Sequence, residues 1–161
     1  MRPAFLAKLQ AMTSAYEMIV ERKSHLLRQA KDNPSAGYLL FCPEDKTIFL
    51  ARRAKDMKSP GTWDIPGGRY DDSDDSVEET AAREVYEEVG EVPKKKKLLG
   101  KHTLEKEKRN YVIYIYSVPA SEKKQWKPDL SDESDAYKWF KVTNLPKELH
   151  LDMSWVESAV A

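Results

Sequence analysis

Gly67 to Glu91, reading GGRYDDSDDSVEETAAREVYEEVGE, sets the frame for the rest of this chain. Its second half, Arg83-Glu84-Val85-Tyr86-Glu87-Glu88-Val89-Gly90, carries three carboxylates at spacing i, i+3, i+4, which falls on one face of a helix. Like charges that close repel and weaken the helix slightly. They gain a use when a divalent cation sits against them, since Mg²⁺ and Mn²⁺ take hard oxygen ligands and bridge carboxylates to phosphates. The stretch therefore reads as a metal-binding helix that works on a phosphorylated substrate. Ser76 with Glu79 three residues on is a capping-box pair, and Gly90 supplies the C-terminal stop. Asp71 to Ser76 is too polar and acidic to be anything but loop.

Working outward, Gly37 to Cys42 and Thr47 to Arg53 read as strands joined by the turn Pro43-Glu44-Asp45-Lys46. A loop with Ser59-Pro60-Gly61 follows, then a short extended run, Trp63 to Pro66. Beyond the helix, Leu98 to Leu104 and Tyr111 to Val118 are strands. The second alternates Val112, Tyr114 and Tyr116 against Tyr111, Ile113 and Ile115, so both faces are apolar and an interior position is expected. Ala120 to Glu133 reads as loop, Ala136 to Val142 as strand and Met153 to Val160 as a short helix. This mixture predicts an α+β fold, a mixed β-sheet covered by helices. At the N-terminus, Phe5, Leu9, Met12, Tyr16, Ile19, Val20, Leu26 and Leu27 form a helical stripe, stopped by Asn33-Pro34. Residues 1–34 are thus an amphipathic helical extension, expected to pack on the main domain, 35–161, with a homodimer contact as the alternative.

With 161 residues the chain makes one domain with a real core. Lys plus Arg and Asp plus Glu number 27 each, a balance that argues against a general nucleic-acid or membrane-surface binder. Locally the charge is uneven: Asp71 to Glu91 holds ten acids and one base, whereas Lys94 to Arg109 holds eight bases against Glu105 and Glu107. An acidic metal site beside a basic stretch suits a polyanionic substrate, although Lys94 to Lys97 taken alone reads as a solvated turn. Cys42, the only cysteine, excludes an internal disulfide and reads as a buried strand position. No apolar run reaches membrane-span length and the N-terminus lacks a signal-peptide pattern, so a cytoplasmic protein is expected. His25, His102 and His150 lack zinc-ligand spacing. Trp126, Tyr114 and Tyr116 read as core rather than as base-stacking platforms.

Gly67 to Glu91 resembles the Nudix box of the Nudix hydrolases, whose pattern is Gly, five residues, Glu, seven residues, then Arg-Glu-apolar-any-Glu-Glu-any-Gly-apolar. Arg83 to Gly90 agrees at every defined position. Gly61 to Gly68, the strand Ile48 to Arg53 and Asp132-Glu133 followed by Trp139 are also similar to the family, so the resemblance spans roughly 36 to 160. Three positions depart. Counted back from Arg83, Asp75 stands for the family Glu; the interval from Gly68 to Asp75 is one residue long; and Glu91 takes the final apolar place. The resemblance implies an α/β/α sandwich. It also implies a pyrophosphohydrolase that uses Mg²⁺ or Mn²⁺ to cleave the diphosphate linkage of a nucleotide or nucleotide derivative by water attack at phosphorus, with a nucleoside triphosphate favoured. It implies metal ligation by Glu84, Glu87, Glu88 and the Gly68 carbonyl, and a general base among Glu84, Glu87 and Glu133. Arg83 would orient a neighbouring carboxylate, Glu79 or Glu87, and Arg52 or Arg53 would contact substrate phosphates. The competing readings are a catalytically silent nucleotide-binding module and an RNA 5′-end pyrophosphohydrolase.

Overall fold

The strands ahead of the box form first as a hairpin and then part. β1, Ser35–Cys42, pairs with β2, Thr47–Arg53, only through Phe41–Ile48 and Cys42–Thr47 next to the turn. The gap beyond is filled by the segment leading into the box. β3, Trp63–Asp64, pairs with β2, and β4, Gly67–Gly68, pairs with β1 at Gly37 and Ala36. Glycine at 37 makes this insertion feasible: any Cβ there would collide with the Pro66 carbonyl and press on the Tyr111 hydroxyl. The computed structural model in which these elements are seen describes residues 2–161, with side chains for 2–22 and 33–161.

β6, Tyr111–Ser117, runs parallel to β1, and β5, Lys97–Leu104, closes that edge antiparallel to β6. β7, Ser134–Lys141, pairs antiparallel along all of β2. The sheet is therefore mixed, and β6 lies inside it between β1 and β5, as its two apolar faces require. α2, Val77–Val89, covers one face, burying Ala81, Val85 and Val89 against Leu40, Phe49 and Tyr114. The other face, with Leu39, Leu50 and Ile113, is covered by Leu151, Met153 and Val156 of the C-terminal segment. Helix, sheet and C-terminal layer make the expected α/β/α sandwich. Cys42 is fully buried. Trp126 packs edge-on against Phe49 at 5.0 Å, and Tyr114 is buried, which gives both a core role.

Three expectations change. The segment 120–133 opens with a helix, α3, Ala120–Gln125, which its sequence ASEKKQ hides because it buries no residue and shows no apolar stripe. The C-terminal helix shrinks to α4, Val156–Ala159, while Met153 contributes a turn carbonyl to the Val156 N–H. The largest correction concerns α1, Pro3–Asp32. Its described side chains do not pack on the domain: Phe5, Leu9, Met12, Tyr16 and Ile19 are all exposed. Leu26 and Leu27 of the expected stripe lie outside the residues whose side chains are described. Among the described residues no helix is long and apolar enough to cross a membrane.

Candidate functional site

α2 starts and stops where its caps dictate. The Ser76 hydroxyl accepts from the Glu79 N–H at 3.1 Å, and Glu79 in turn accepts from the Asp75 N–H at 2.9 Å. At the far end Gly90, at φ 74°, donates its N–H to the Tyr86 carbonyl. Because Ala81, Val85 and Val89 face the sheet, Glu84 and Glu88 flank the buried stripe and Glu87 points outward, its side chain 55% exposed. Glu88 accepts from the Gly67 N–H at 3.3 Å. Glu84 lies against Gly68, where a Cβ would run into the Glu84 carboxylate. The box glycines and two of its carboxylates are thus in direct contact, a meeting that requires β4 to sit within the sheet.

Arg83 organises the outer side of the helix. Its Nε and Nη2 grip Asp74 at 2.8 and 2.9 Å, a bidentate pair in which the Asp74 side chain is 2% exposed. Nη1 donates to Glu84 at 2.9 Å and to Glu87 at 3.3 Å, and Nη2 also reaches the Arg69 carbonyl. The hydrogen bonds from Arg83 hold the Asp74 carboxyl well below the usual carboxylate range. Of the two partners expected, Glu87 is present and Glu79 is not, being committed to the cap. The principal partner, Asp74, went unrecognised. Counting back from Arg83 selects Asp75, which is exposed; counting forward from Gly68, with five residues between, arrives at Asp74. The extra residue therefore lies between this acid and the helix, and Thr80 seals the loop with a 2.9 Å bond to Asp74.

Glu133 joins Glu88 through backbone contacts that no local pattern reveals. The Ser131 N–H binds the Glu88 carbonyl, and the Ala54 N–H binds the Glu133 carbonyl. A small cleft results, lined by Glu88, Glu133, Asp64 and Arg53. Arg52 does not enter it. Adjacent strand residues face opposite sides, and Arg52 bonds to Asp135 at 2.7 Å over the Trp63 ring. Arg53 instead faces Asp64 at 3.6 Å. Asp64, read in sequence only as part of an extended run, is an addition to the site. Burial pushes it up to about 7 against the pull of Arg53. Burial likewise raises Glu88 to about 8, and Asp64, Glu133 and Glu84 add to the effect. Glu84 is raised by burial despite Arg83. Tyr111, its hydroxyl packed beside Gly67 and Gly37, is raised well above the usual phenol range by the same causes.

Crowded, partly desolvated carboxylates with elevated pKa values are a donor set that a hard cation would stabilise. Among the described residues no three His, Cys, Asp or Glu side chains converge closely enough to cage an ion by themselves. Asp64 and Arg53 also line a second, larger cleft of about 470 Å³, together with Gly67, Gly68 and Tyr111. Lys58, Arg69, Lys106, Lys108, Arg109 and His150 form its walls. The basic stretch of the sequence is split by the fold: Lys106 to Arg109 reach this cleft, whereas Lys94 and Lys96 lie beside Tyr86 and Gly90 elsewhere on the surface. His150 is held low by burial, with Arg53 and Lys106 adding to it.

Comparison with known proteins agrees with this arrangement. The model of the NUDIX domain matches residues 31–157. An ADP-ribose pyrophosphatase of Methanocaldococcus jannaschii is 33% identical over 108 residues, covering 65% of this chain and 60% of that protein. Relatives from Pectobacterium atrosepticum and Enterobacteria phage T4 are matched over 32% and 38% of their lengths, so the chain spans less than two thirds of each. Among solved structures, a MutT Nudix hydrolase from Burkholderia pseudomallei has 25% identity and a TM-score of 0.54, over 80% of this chain and 95% of that one. An Ap4A hydrolase from C. elegans, at 15% identity and a TM-score of 0.58, shares the fold over 80% of this chain and 92% of its own. With a box whose glycines and carboxylates meet within the sheet and a domain match across most of its length, this chain belongs to the Nudix hydrolase family.

Proposed function

We propose that the protein is a cation-dependent pyrophosphohydrolase that cleaves the diphosphate linkage of a nucleotide or nucleotide derivative, a nucleoside triphosphate being favoured. The observation that carries this reading is that Asp64 and Arg53 line two clefts at once, one acidic and one basic. Glu84, Glu87, Glu88 and the Gly68 carbonyl would hold Mg²⁺ or Mn²⁺. When bound, such an ion neutralises phosphate charge and lowers the pKa of water. The chain's own residues do the rest. Arg83 fixes Glu84 and Glu87, Arg53 receives a phosphate oxygen, and the basic wall orients the substrate for attack by water at phosphorus. We assign the water's proton to Glu133. Arg83 occupies Glu84 and Glu87 with hydrogen bonds, whereas Glu133 lines the small cleft and has no salt-bridge partner among the described residues.

The M. jannaschii relative makes an ADP-sugar the nearest competitor to a triphosphate. The test is a substrate panel with Mg²⁺ or Mn²⁺, products identified by mass, wild type beside Glu87→Gln. The panel holds nucleoside triphosphates, ADP-ribose, dinucleoside polyphosphates and 5′-triphosphate RNA. Wild type should cleave at least one, and Glu87→Gln should lose about 10²-fold or more in kcat while melting normally. Nucleotide binding without cleavage would instead make the chain a silent binding module.

A further inference from the structure

The larger cleft holds more positive charge than a diphosphate requires. Arg53, assigned above to a phosphate oxygen, faces Asp64 and donates from Nε to the Lys58 carbonyl at 2.6 Å. Lys58, Arg69, Lys106, Lys108 and Arg109 line the same space, and among the described residues none of them has a carboxylate within salt-bridge distance. They come from three separate connections, those following β2, β4 and β5, so the fold rather than a local run of sequence assembles them. Like charges gathered around one concave wall raise one another's energy, and an anion seated among them relieves it. A neutral sugar in that place would leave the repulsion standing.

Resting on the hydrolase reading above, we propose that the substrate extends a further phosphate group, beyond the diphosphate that is cut, onto Arg69 and the loop Lys106 to Arg109. The protein then selects its substrate by phosphate number, taking nucleoside triphosphates and longer polyphosphates over diphosphate sugars. Half-buried Arg109 offers a planar fork that suits two phosphate oxygens, and exposed Lys106 and Lys108 act as point charges. A chain with balanced overall charge needs such a local wall to hold a small polyanion, whereas a long RNA would call for a broader basic surface.

The test reads the basic wall by itself. Binding of inorganic pyrophosphate and of tripolyphosphate to the full chain is measured by calorimetry with a chelator present, so that nothing is hydrolysed. Tripolyphosphate should bind about tenfold tighter, and Lys106→Gln/Lys108→Gln/Arg109→Gln should narrow the preference to about twofold, with folding checked by its melting curve. Should the triple variant not fold, Lys108→Gln, on an exposed position, should narrow the preference in the same direction. The wild-type preference should also shrink as salt rises from about 50 to about 300 mM. Equal affinity for the two anions overturns the subsite, and so does far tighter binding of 5′-triphosphate RNA than of tripolyphosphate. Loss of turnover on every panel substrate, with the tripolyphosphate preference intact, would remove the hydrolase reading and leave the anion subsite standing.

Discussion

Two carboxylates show how neighbouring residues of one type take different parts. Asp74 is buried under the Arg83 fork and Asp75 is exposed, contributing only its N–H to the cap. Asp74→Asn takes from half-buried Arg83 its main partner, a buried carboxylate, and should cost about 2 kcal/mol. Asp75→Asn should stay within about 0.5 kcal/mol. Urea melts of the two variants check this, and similar losses would return the role to Asp75. Glu88 gives a pH prediction. Its carboxyl sits at about 8 in the folded chain, above its ordinary value of 4.5, because it is buried among other acids. The native state therefore binds this proton more tightly than the unfolded chain does. Stability of the metal-free protein should fall as pH climbs from about 4.5 to about 8. Glu88→Gln removes this contribution, so its melting temperature in chelator should decline less steeply over that range, Asp64 and Glu84 accounting for what remains. An unchanged slope would place Glu88 in a more solvated setting than the structure shows.

At the scale of elements, the site depends on β3 and β4 entering between two strands that part. Gly37 permits the approach of Pro66, and β4 then brings Gly67 to Glu88 and Gly68 to Glu84. Gly37→Ala should cost about 2 kcal/mol through overpacking and should lower activity beyond what the loss of folded protein explains, because it displaces the box glycines. Measuring kcat on the folded fraction separates the two effects, and unchanged kcat would show that β4 tolerates the shift. Sequence reading located nearly every element here, since helix caps, turn residues and two-residue alternation act over a few positions. It missed α3, whose six residues bury nothing and so leave no periodic trace, and it did not read Gly67–Gly68 as the strand β4.

For the whole molecule, α1 is the element whose described apolar residues stand in solvent. Its stripe of apolar residues was legible, yet the described part of that stripe does not pack on the domain. Removing residues 1–22 should shift the melting temperature by no more than about 2 °C, equivalent to about 0.5 kcal/mol. A large drop would mean that the helix supports the domain after all, through its own copy or another.

The sequence by itself determined the acidic helix face, its caps, the interior strand and the family, because each is written in short-range spacing. Only the tertiary structure decided that Asp74 rather than Asp75 meets Arg83, that Arg53 rather than Arg52 enters the cleft, that Asp64 joins the carboxylates, and that only the Lys106 to Arg109 end of the basic stretch reaches the site. Those choices turn on which side of a parted sheet each residue falls, and on contacts between segments far apart in the chain. Local periodicity carries no record of either.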